Sequence, residues 1–207
     1  MKVNEIFFSV DGEGKHSGQL AAFVRLTGCN LHCSYCDTEY AFHDGREMAV
    51  NEIADAVKDY RNVTLTGGEP LLQDCHELLR LLHNHDVNIE TNGSIPLDEY
   101  LKYGNVFFAM DFKCYSSRMV DAMKYSNLKI LRGGDVLKFV VGDKSDLELA
   151  REIYSEFKPK STVYISPVYG KIELPAIVDF MKQYRLEDWR LQVQLHKIIW
   201  KPDERGV

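Results

Sequence analysis

The chain has 207 residues, 45% of them hydrophobic and 27% charged, which is enough apolar material for one sizeable core. A net charge of −6 and a pI near 5.7 exclude a basic nucleic-acid-binding face as its main feature. No apolar run reaches the length of a membrane span, and the opening Met1-Lys2-Val3-Asn4-Glu5 lacks the apolar stretch of a signal peptide.

Short β-rich runs alternate with helical patterns almost from end to end. Residues 22–26, 63–66, 87–90, 106–110, 137–141, 163–165 and 191–193 read as strands, several apolar throughout, as strands covered on both faces are. Helical spacing links Val50, Ile53, Ala54 and Val57, and then Leu71, Leu72, Leu78, Leu79 and Leu82. It returns at Leu147, Ala150, Ile153 and Tyr154, and again at Ile177, Val178, Phe180 and Met181. Asp143, Lys144 and Ser145 mark the start of the third helix, and Pro175 lies in the first turn of the fourth. Repeated strand–helix units predict a parallel sheet, and about six of them are too few to close an eight-stranded barrel. The expected fold is therefore α/β, a partial, open (β/α)6-type TIM-like barrel, built as one domain over residues 1–207.

In such folds the chemistry gathers at the carboxyl ends of the strands, and the unusual residues of this chain fall there. Val10-Asp11-Gly12-Glu13-Gly14 reads equally as a substrate-contacting loop or an ordinary turn. Arg25 interrupts the apolar run Ala22–Leu26, where a guanidinium must be paired: either it offers its fork to a ligand carboxylate or it closes an internal ion pair.

Cys29, Cys33 and Cys36 follow in a C-x3-C-x2-C run. Three thiolates so placed can hold three irons of a [4Fe–4S] cubane and leave the fourth iron open to a chelating small molecule, the arrangement used to split S-adenosylmethionine reductively. Structural zinc wants a fourth ligand, and His32, His43, Cys75 and Cys114 all stand at the wrong spacing. The odd total of five cysteines suits a metal site in a reducing compartment, so the expected location is cytoplasmic.

Asp37-Thr38 comes next. A threonine hydroxyl is a hard oxygen suited to Mg2+, but the residues alone favour a helix cap. Gly67-Gly68-Glu69-Pro70 lets the backbone approach a ligand closely, or simply turns from strand to helix. Glu90-Thr91-Asn92-Gly93, Asp111-Phe112-Lys113 and Ser166-Pro167-Val168-Tyr169 end later strands. His196 and Lys197 follow the last strand, beside Gln192 and Gln194; a lone histidine there is structural by default. Cys75 and Cys114 read as small buried residues.

Taken together, residues 6–14 and 23–38, Thr66-Gly67-Gly68-Glu69-Pro70, Glu90-Thr91-Asn92-Gly93 and Gln194-Leu195-His196-Lys197 closely resemble the 7-carboxy-7-deazaguanine synthases. These are radical S-adenosylmethionine enzymes of the queuosine pathway. The cysteine and Gly-Gly-Glu-Pro signatures are superfamily-wide, whereas the Gly-Glu-Gly opening, Cys-Asp-Thr and His-Lys narrow the resemblance to this family.

The resemblance implies a Mg2+-dependent radical ring contraction. A cluster-derived electron cleaves S-adenosylmethionine, and the 5′-deoxyadenosyl radical takes a hydrogen from 6-carboxy-5,6,7,8-tetrahydropterin. The substrate radical rearranges, ammonia leaves and 7-carboxy-7-deazaguanine forms as the hydrogen is returned. By the same resemblance Cys29, Cys33 and Cys36 hold the cluster and Thr38 ligates Mg2+. Tyr35, Cys36, Asp37, Gly68, Asp111, Phe112, Lys113, Ser166, Pro167, Val168 and Tyr169 contact S-adenosylmethionine. Val10, Asp11, Gly12, Arg25 and Thr66 contact the pterin, with Glu13 and His196 as neighbours. A flavodoxin- or ferredoxin-type electron donor and a homodimer are also implied.

Some relatives carry Gln in place of Asp11 and Ser-Pro-Lys in place of residues 111–113. Some end on a proline whose carboxylate meets substrate, whereas this chain runs past Pro202 to Val207, with Arg205 a candidate to replace part of that contact. Two rivals share part of the pattern: an activating enzyme that places a radical on a glycine of a partner protein, and a non-catalytic zinc or cluster protein. Arg25 and Thr38 argue against the first, and the motifs at the later strand ends against the second.

Overall fold

A computed structural model describes all residues, 1–207, as one nine-stranded open sheet packed by helices. In chain order the elements are β1 (Lys2–Val10), β2 (Leu20–Leu26), β3 (Arg46–Glu47), α1 (Val50–Val57), β4 (Asn62–Gly67), α2 (His76–Leu81) and β5 (Asp86–Thr91). They continue with β6 (Val106–Lys113), α3 (Tyr125–Ile130), β7 (Val136–Val141), α4 (Lys144–Phe157), β8 (Thr162–Pro167), α5 (Leu174–Tyr184), β9 (Trp189–Leu191) and α6 (His196–Ile199). The spatial order is β3-β1-β2-β4-β5-β6-β7-β8-β9. Strands β2 and β4 to β9 are parallel, while β1 and β3 extend the sheet antiparallel at one edge. The edges β3 and β9 do not meet, so the expected partial barrel is what forms. No helix is long and apolar enough to cross a membrane.

Each parallel strand alternates between two faces, because successive side chains point to opposite sides. Val24, Leu26, Val63, Leu65, Val87, Ile89, Phe108, Met110, Phe112, Leu137, Phe139, Val163 and Ile165 point outward and form the main core with the helices. That core explains the amphipathic helices: Ile53 and Val57 of α1, Leu147, Ala150 and Ile153 of α4, and Ile177 and Phe180 of α5 all seat in it. Asp143 caps α4 by accepting from the backbone N–H of Ser145 and Asp146, as its position ahead of the apolar spacing predicts.

Several details depart from the sequence reading. β1 and β3 were not foreseen; β1 mixes half-buried and buried residues and carries no clean alternation. β6 runs on to Lys113, so Asp111 to Lys113 lie within a strand rather than after it. The last strand is Trp189–Leu191, two residues earlier than expected. The leucines from Leu71 to Leu82 do not share one helix: Pro70–Leu72 make a single tight turn, and α2 starts only at His76. Leu71, Leu78, Leu79 and Leu82 still reach the core, so their spacing reports burial and not helix continuity.

Candidate active site

The inner face of the sheet is where the polar residues go. Alternation places Arg25, Thr66, Glu90, Asp111 and Lys113 on that face near the strands' carboxyl ends, with Lys138 mid-strand in β7, and all six line a cavity of about 730 Å³. Register brings partners together: Arg25 lies beside Thr66 across β2 and β4, and Asp111 beside Lys138 across β6 and β7.

Cys29, Cys33 and Cys36 line this cavity on the loop after β2, half-buried and with no disulfide. The backbone N–H of Leu31 donates to Cys29 Sγ at 3.4 Å, and Asn92 Nδ2 lies 3.8 Å from the same sulfur. Burial pushes the Cys33 and Cys36 thiols up, so binding a metal there expels their protons. The glycine pair seats this loop. A Cβ on Gly68 would lie 2.3 Å from the Gly28 carbonyl oxygen and 2.7 Å from Cys29 Cβ. Gly67, at φ 148°, would put a Cβ 2.2 Å from the Leu26 carbonyl oxygen.

Glu69 ties the second motif to the third. Its buried carboxylate accepts from the N–H of Leu71 at 3.0 Å, the Thr91 hydroxyl at 3.0 Å and the N–H of Asn92 at 2.6 Å. Burial outweighs these bonds and lifts its carboxyl to about 7. Asn92 in turn donates to Asn30 Oδ1 at 3.1 Å, next to Cys29. The three motifs are thus one hydrogen-bonded unit around the cysteines. The glycine pair thus seats the cysteine loop and Glu69 ties the motifs together, while Gly68 also lines the cavity.

The donor set suits a cubane. Three thiols line one cavity, one for each of three irons, and the other two cysteines, Cys75 and Cys114, are buried in the core away from it. Tyr35, between two of the cysteines, lines the cavity, and its buried hydroxyl has no protein partner, leaving it for a ligand.

Beyond the cysteines, Lys197 Nζ pairs with Asp37 Oδ2 at 2.7 Å. Burial raises the Asp37 carboxyl, but Lys197 outweighs it and holds the group at about 2. Thr38 stands at the head of the tight turn Glu39–Phe42, the place the capping reading gives it, but its hydroxyl makes no cap bond and donates instead to Asp37 Oδ1 at 2.9 Å. Its oxygen keeps lone pairs for a cation. His196 stands against Gly12, where an added Cβ would lie 3.0 Å from Nδ1, and burial lowers its pKa.

The cavity's far wall is a chain of charges. Gln194 Nε2 donates to Glu13 Oε1 at 2.7 Å, and the other Glu13 oxygen takes the Lys138 ammonium. Lys138 also reaches Asp111 Oδ1 at 2.9 Å, whose Oδ2 takes Lys113 at 3.1 Å. Burial opposes charge on Asp111, but Lys113 and Lys138 keep its pKa low; Asp111 and Glu13 likewise hold Lys138 protonated despite burial. Asp11 and Glu90 lack such a partner at contact distance, and burial lifts them to about 6 and about 7. Arg25 Nε pairs with Glu5 Oε1 at 2.7 Å, and the Tyr40 hydroxyl donates to the same oxygen at 3.0 Å. The internal ion pair therefore exists, but it uses only the Nε edge of the guanidinium. Pro202 to Val207 also line the cavity, with the Arg205 guanidinium 3.8 Å from the centre of the Tyr40 ring.

Of the expected site residues, Val10, Asp11, Gly12, Glu13, Arg25, Thr66 and His196 all line the cavity, as do Tyr35, Cys36, Asp37, Thr38, Gly68, Asp111, Lys113, Pro167, Val168 and Tyr169. Phe112 does not: strand alternation turns it outward, 1% exposed, against Phe139 and Tyr125. Ser166 does not either; buried, it donates its hydroxyl to the Gln192 carbonyl at 3.1 Å. Neither residue lines the cavity. Sequence reasoning missed Lys138, though Lys138 within the apolar run Val136–Val141 carries the same signal as Arg25 in its run.

Residues 23–141 match the profile of the Radical SAM superfamily. The chain is 50% identical to the 7-carboxy-7-deazaguanine synthase of Clostridium acetobutylicum, over 100% of this chain and 99% of that one. It is 39% identical to the enzyme of the same name from Methanospirillum hungatei, over 98% and 86%. The crystal structure of QueE from Escherichia coli superposes with a TM-score of 0.74 over 93% of each chain, at 22% identity, a likeness of fold. An open parallel barrel with three cysteines on the loop after its first parallel strand defines a radical SAM protein, with a [4Fe–4S] cluster and S-adenosylmethionine as its cofactors. Identity at this level over the full length goes further: the chain belongs to the 7-carboxy-7-deazaguanine synthase family.

Proposed function

We propose that the chain, as one radical SAM core domain over residues 1–207, converts 6-carboxy-5,6,7,8-tetrahydropterin to 7-carboxy-7-deazaguanine with loss of ammonia, in queuosine biosynthesis. One observation carries this reading: a single cavity is lined both by the three cysteines and by Arg25, Thr66, Asp11 and Glu13. Cys29, Cys33 and Cys36 would hold the cluster. Tyr35, Asp37, Gly68, Asp111, Lys113 and the segment Pro167 to Tyr169 would hold S-adenosylmethionine, with Phe112 and Ser166 behind them in the strands that carry Asp111, Lys113 and Pro167. When bound, the two cofactors supply the one-electron chemistry that starts the rearrangement.

The protein supplies position and charge. Glu5 fixes Arg25 by its Nε edge, so the terminal nitrogens are presented to the substrate carboxylate in a set orientation. Glu90, lifted to about 7, can donate as well as accept a hydrogen bond at the pterin edge, whereas Asp11, at about 6, chiefly accepts. The decisive experiment is anaerobic turnover of synthetic 6-carboxytetrahydropterin by reconstituted protein. Product with the mass and spectrum of the deazaguanine supports the reading, and none from cluster-loaded protein refutes it. The donor of the electron is a flavodoxin- or ferredoxin-type protein, and the working form is a cytoplasmic homodimer, checked by light scattering.

Variants at two positions test the substrate end. Arg25→Lys keeps the charge but not the fork, and loss of one charge-assisted bond at about 1.5–3 kcal/mol weakens substrate binding roughly ten- to a hundred-fold. Unchanged affinity would leave Arg25 only its pairing with Glu5. The Thr38 oxygen would hold Mg2+. Thr38→Ala keeps the cluster and uncoupled cleavage of S-adenosylmethionine but loses most ring contraction and its Mg2+ response, while Thr38→Ser is milder because a hard cation reads the oxygen. Full product formation by Thr38→Ala with an unchanged Mg2+ response would remove the ion from this residue.

A further inference from the structure

Lys138 has no role in the reading above. It sits mid-strand in β7, 8% exposed, in the cavity wall. Burying an ammonium is costly, and an apolar side chain of similar size usually serves stability as well or better. Packing is therefore a poor reason for a lysine here.

Its contacts point to geometry. The ammonium bridges two carboxylates from different parts of the chain: Glu13, on the loop after β1, and Asp111, on the adjacent strand β6. Those carboxylates belong to different subsites of the proposed reaction, Glu13 on the pterin side and Asp111 on the S-adenosylmethionine side. The two are not equally dependent on Lys138. Asp111 has a second cation, Lys113, at 3.1 Å, whereas Glu13 has otherwise only the neutral amide of Gln194. Glu13 also belongs to the Asp11–Gly14 loop. That loop is tied to the C-terminal segment by Gly14 N–H donating to Gln192 Oε1 at 2.9 Å and by Leu195 N–H donating to the Gly12 carbonyl at 3.3 Å.

We propose that Lys138 is a positioning residue that acts through Glu13: it clamps the pterin-side loop to the strand carrying Asp111 and so fixes the spacing between substrate and S-adenosylmethionine. The inference rests on the proposed reaction and assigns a determinant of its coupling. Without the clamp, hydrogen abstraction and ring contraction lose their alignment, and a misplacement of about 1 Å is enough to cost roughly a hundred-fold in rate.

The test uses cluster-reconstituted protein, first without reductant so that only binding is read. Lys138→Gln is expected to weaken 6-carboxytetrahydropterin binding about tenfold or more and S-adenosylmethionine binding much less, because Lys113 remains. With reductant, the amount of 5′-deoxyadenosine released per deazaguanine formed rises several-fold. Glu13→Gln is expected to cost a similar factor, and Glu13→Gln with Lys138→Gln no more than either alone, since both remove one clamp. Independent, multiplying losses in the double variant would overturn the proposal. So would an equal fall in both affinities accompanied by a lower Tm, the mark of a merely structural lysine. If Lys138→Gln fails to fold, the comparison is between Lys138→Arg, which retains the cation and is expected to keep pterin affinity and coupling, and the charge-balanced double variant, which is expected to lose both; equal behaviour of the two would overturn the proposal. Failure of the unmutated protein to bind or convert the pterin would sink the proposed reaction itself; a normal unmutated enzyme with the wrong variant pattern sinks only the clamp.

Discussion

Cys29→Ala, Cys33→Ala and Cys36→Ala are each expected to abolish cluster assembly and 5′-deoxyadenosine formation, while Cys75→Ala and Cys114→Ala leave both intact. The first three share the cavity rim, and a cubane that loses one of three thiolates loses a ligand to a separate iron. The other two are fully buried in the core, with Cys75 Sγ donating to the Pro70 carbonyl at 3.4 Å and Cys114 Sγ to that of Phe112 at 3.8 Å. Their replacement costs stability of about 1 kcal/mol, typical of a small core change, and no iron. Iron and sulfide analysis, the optical spectrum of anaerobic protein and chromatography of the nucleoside decide the matter. A Cys75 or Cys114 variant that loses its cluster, beside a Cys29, Cys33 or Cys36 variant with full activity, would reverse the ligand assignment.

The seven parallel strands and their open arrangement were legible because each carries a local signal: short β-branched or aromatic runs punctuated by turn residues. β1 was not: paired on both sides by β2 and the two-residue β3, it buries its residues in no regular alternation. The cysteine loop was legible from spacing alone. The purpose of the glycine pair was not: that a Cβ on Gly68 meets Gly28 depends on β2 and β4 lying side by side, a contact about forty residues apart in the chain. Arg25 declared itself as a charge in an apolar strand, but its partner Glu5 lies on β1, and only the antiparallel register that sets Glu5 beside Arg25 identifies it. Phe112 shows the converse error. Motif resemblance treats Asp111-Phe112-Lys113 as a unit, whereas strand geometry sends the middle residue to the opposite face.

Gly68→Ala is expected to strip the protein of most of its cluster without unfolding it. The added Cβ would stand 2.3 Å from the Gly28 carbonyl oxygen and 2.7 Å from Cys29 Cβ. Both belong to the stretch carrying the first cluster ligand, and a backbone carbonyl cannot swing aside as a long side chain can. Overpacking of this kind costs about 1–3 kcal/mol, a few degrees of Tm in a chain this size. The relief available is local: the Gly28–Cys29 segment moves outward, and with it the Cys29 sulfur leaves the position shared with Cys33 and Cys36. Gly104→Ala is the control, because nothing lies within 4 Å of the Cβ it would add. It should bind iron like the unmutated protein and melt within about half a kcal/mol of it. Gly68→Ala with a full complement of iron and unchanged cleavage of S-adenosylmethionine would show that the close approach of the two strand ends does not govern where Cys29 stands, and the glycine would then be free to serve the ligand alone.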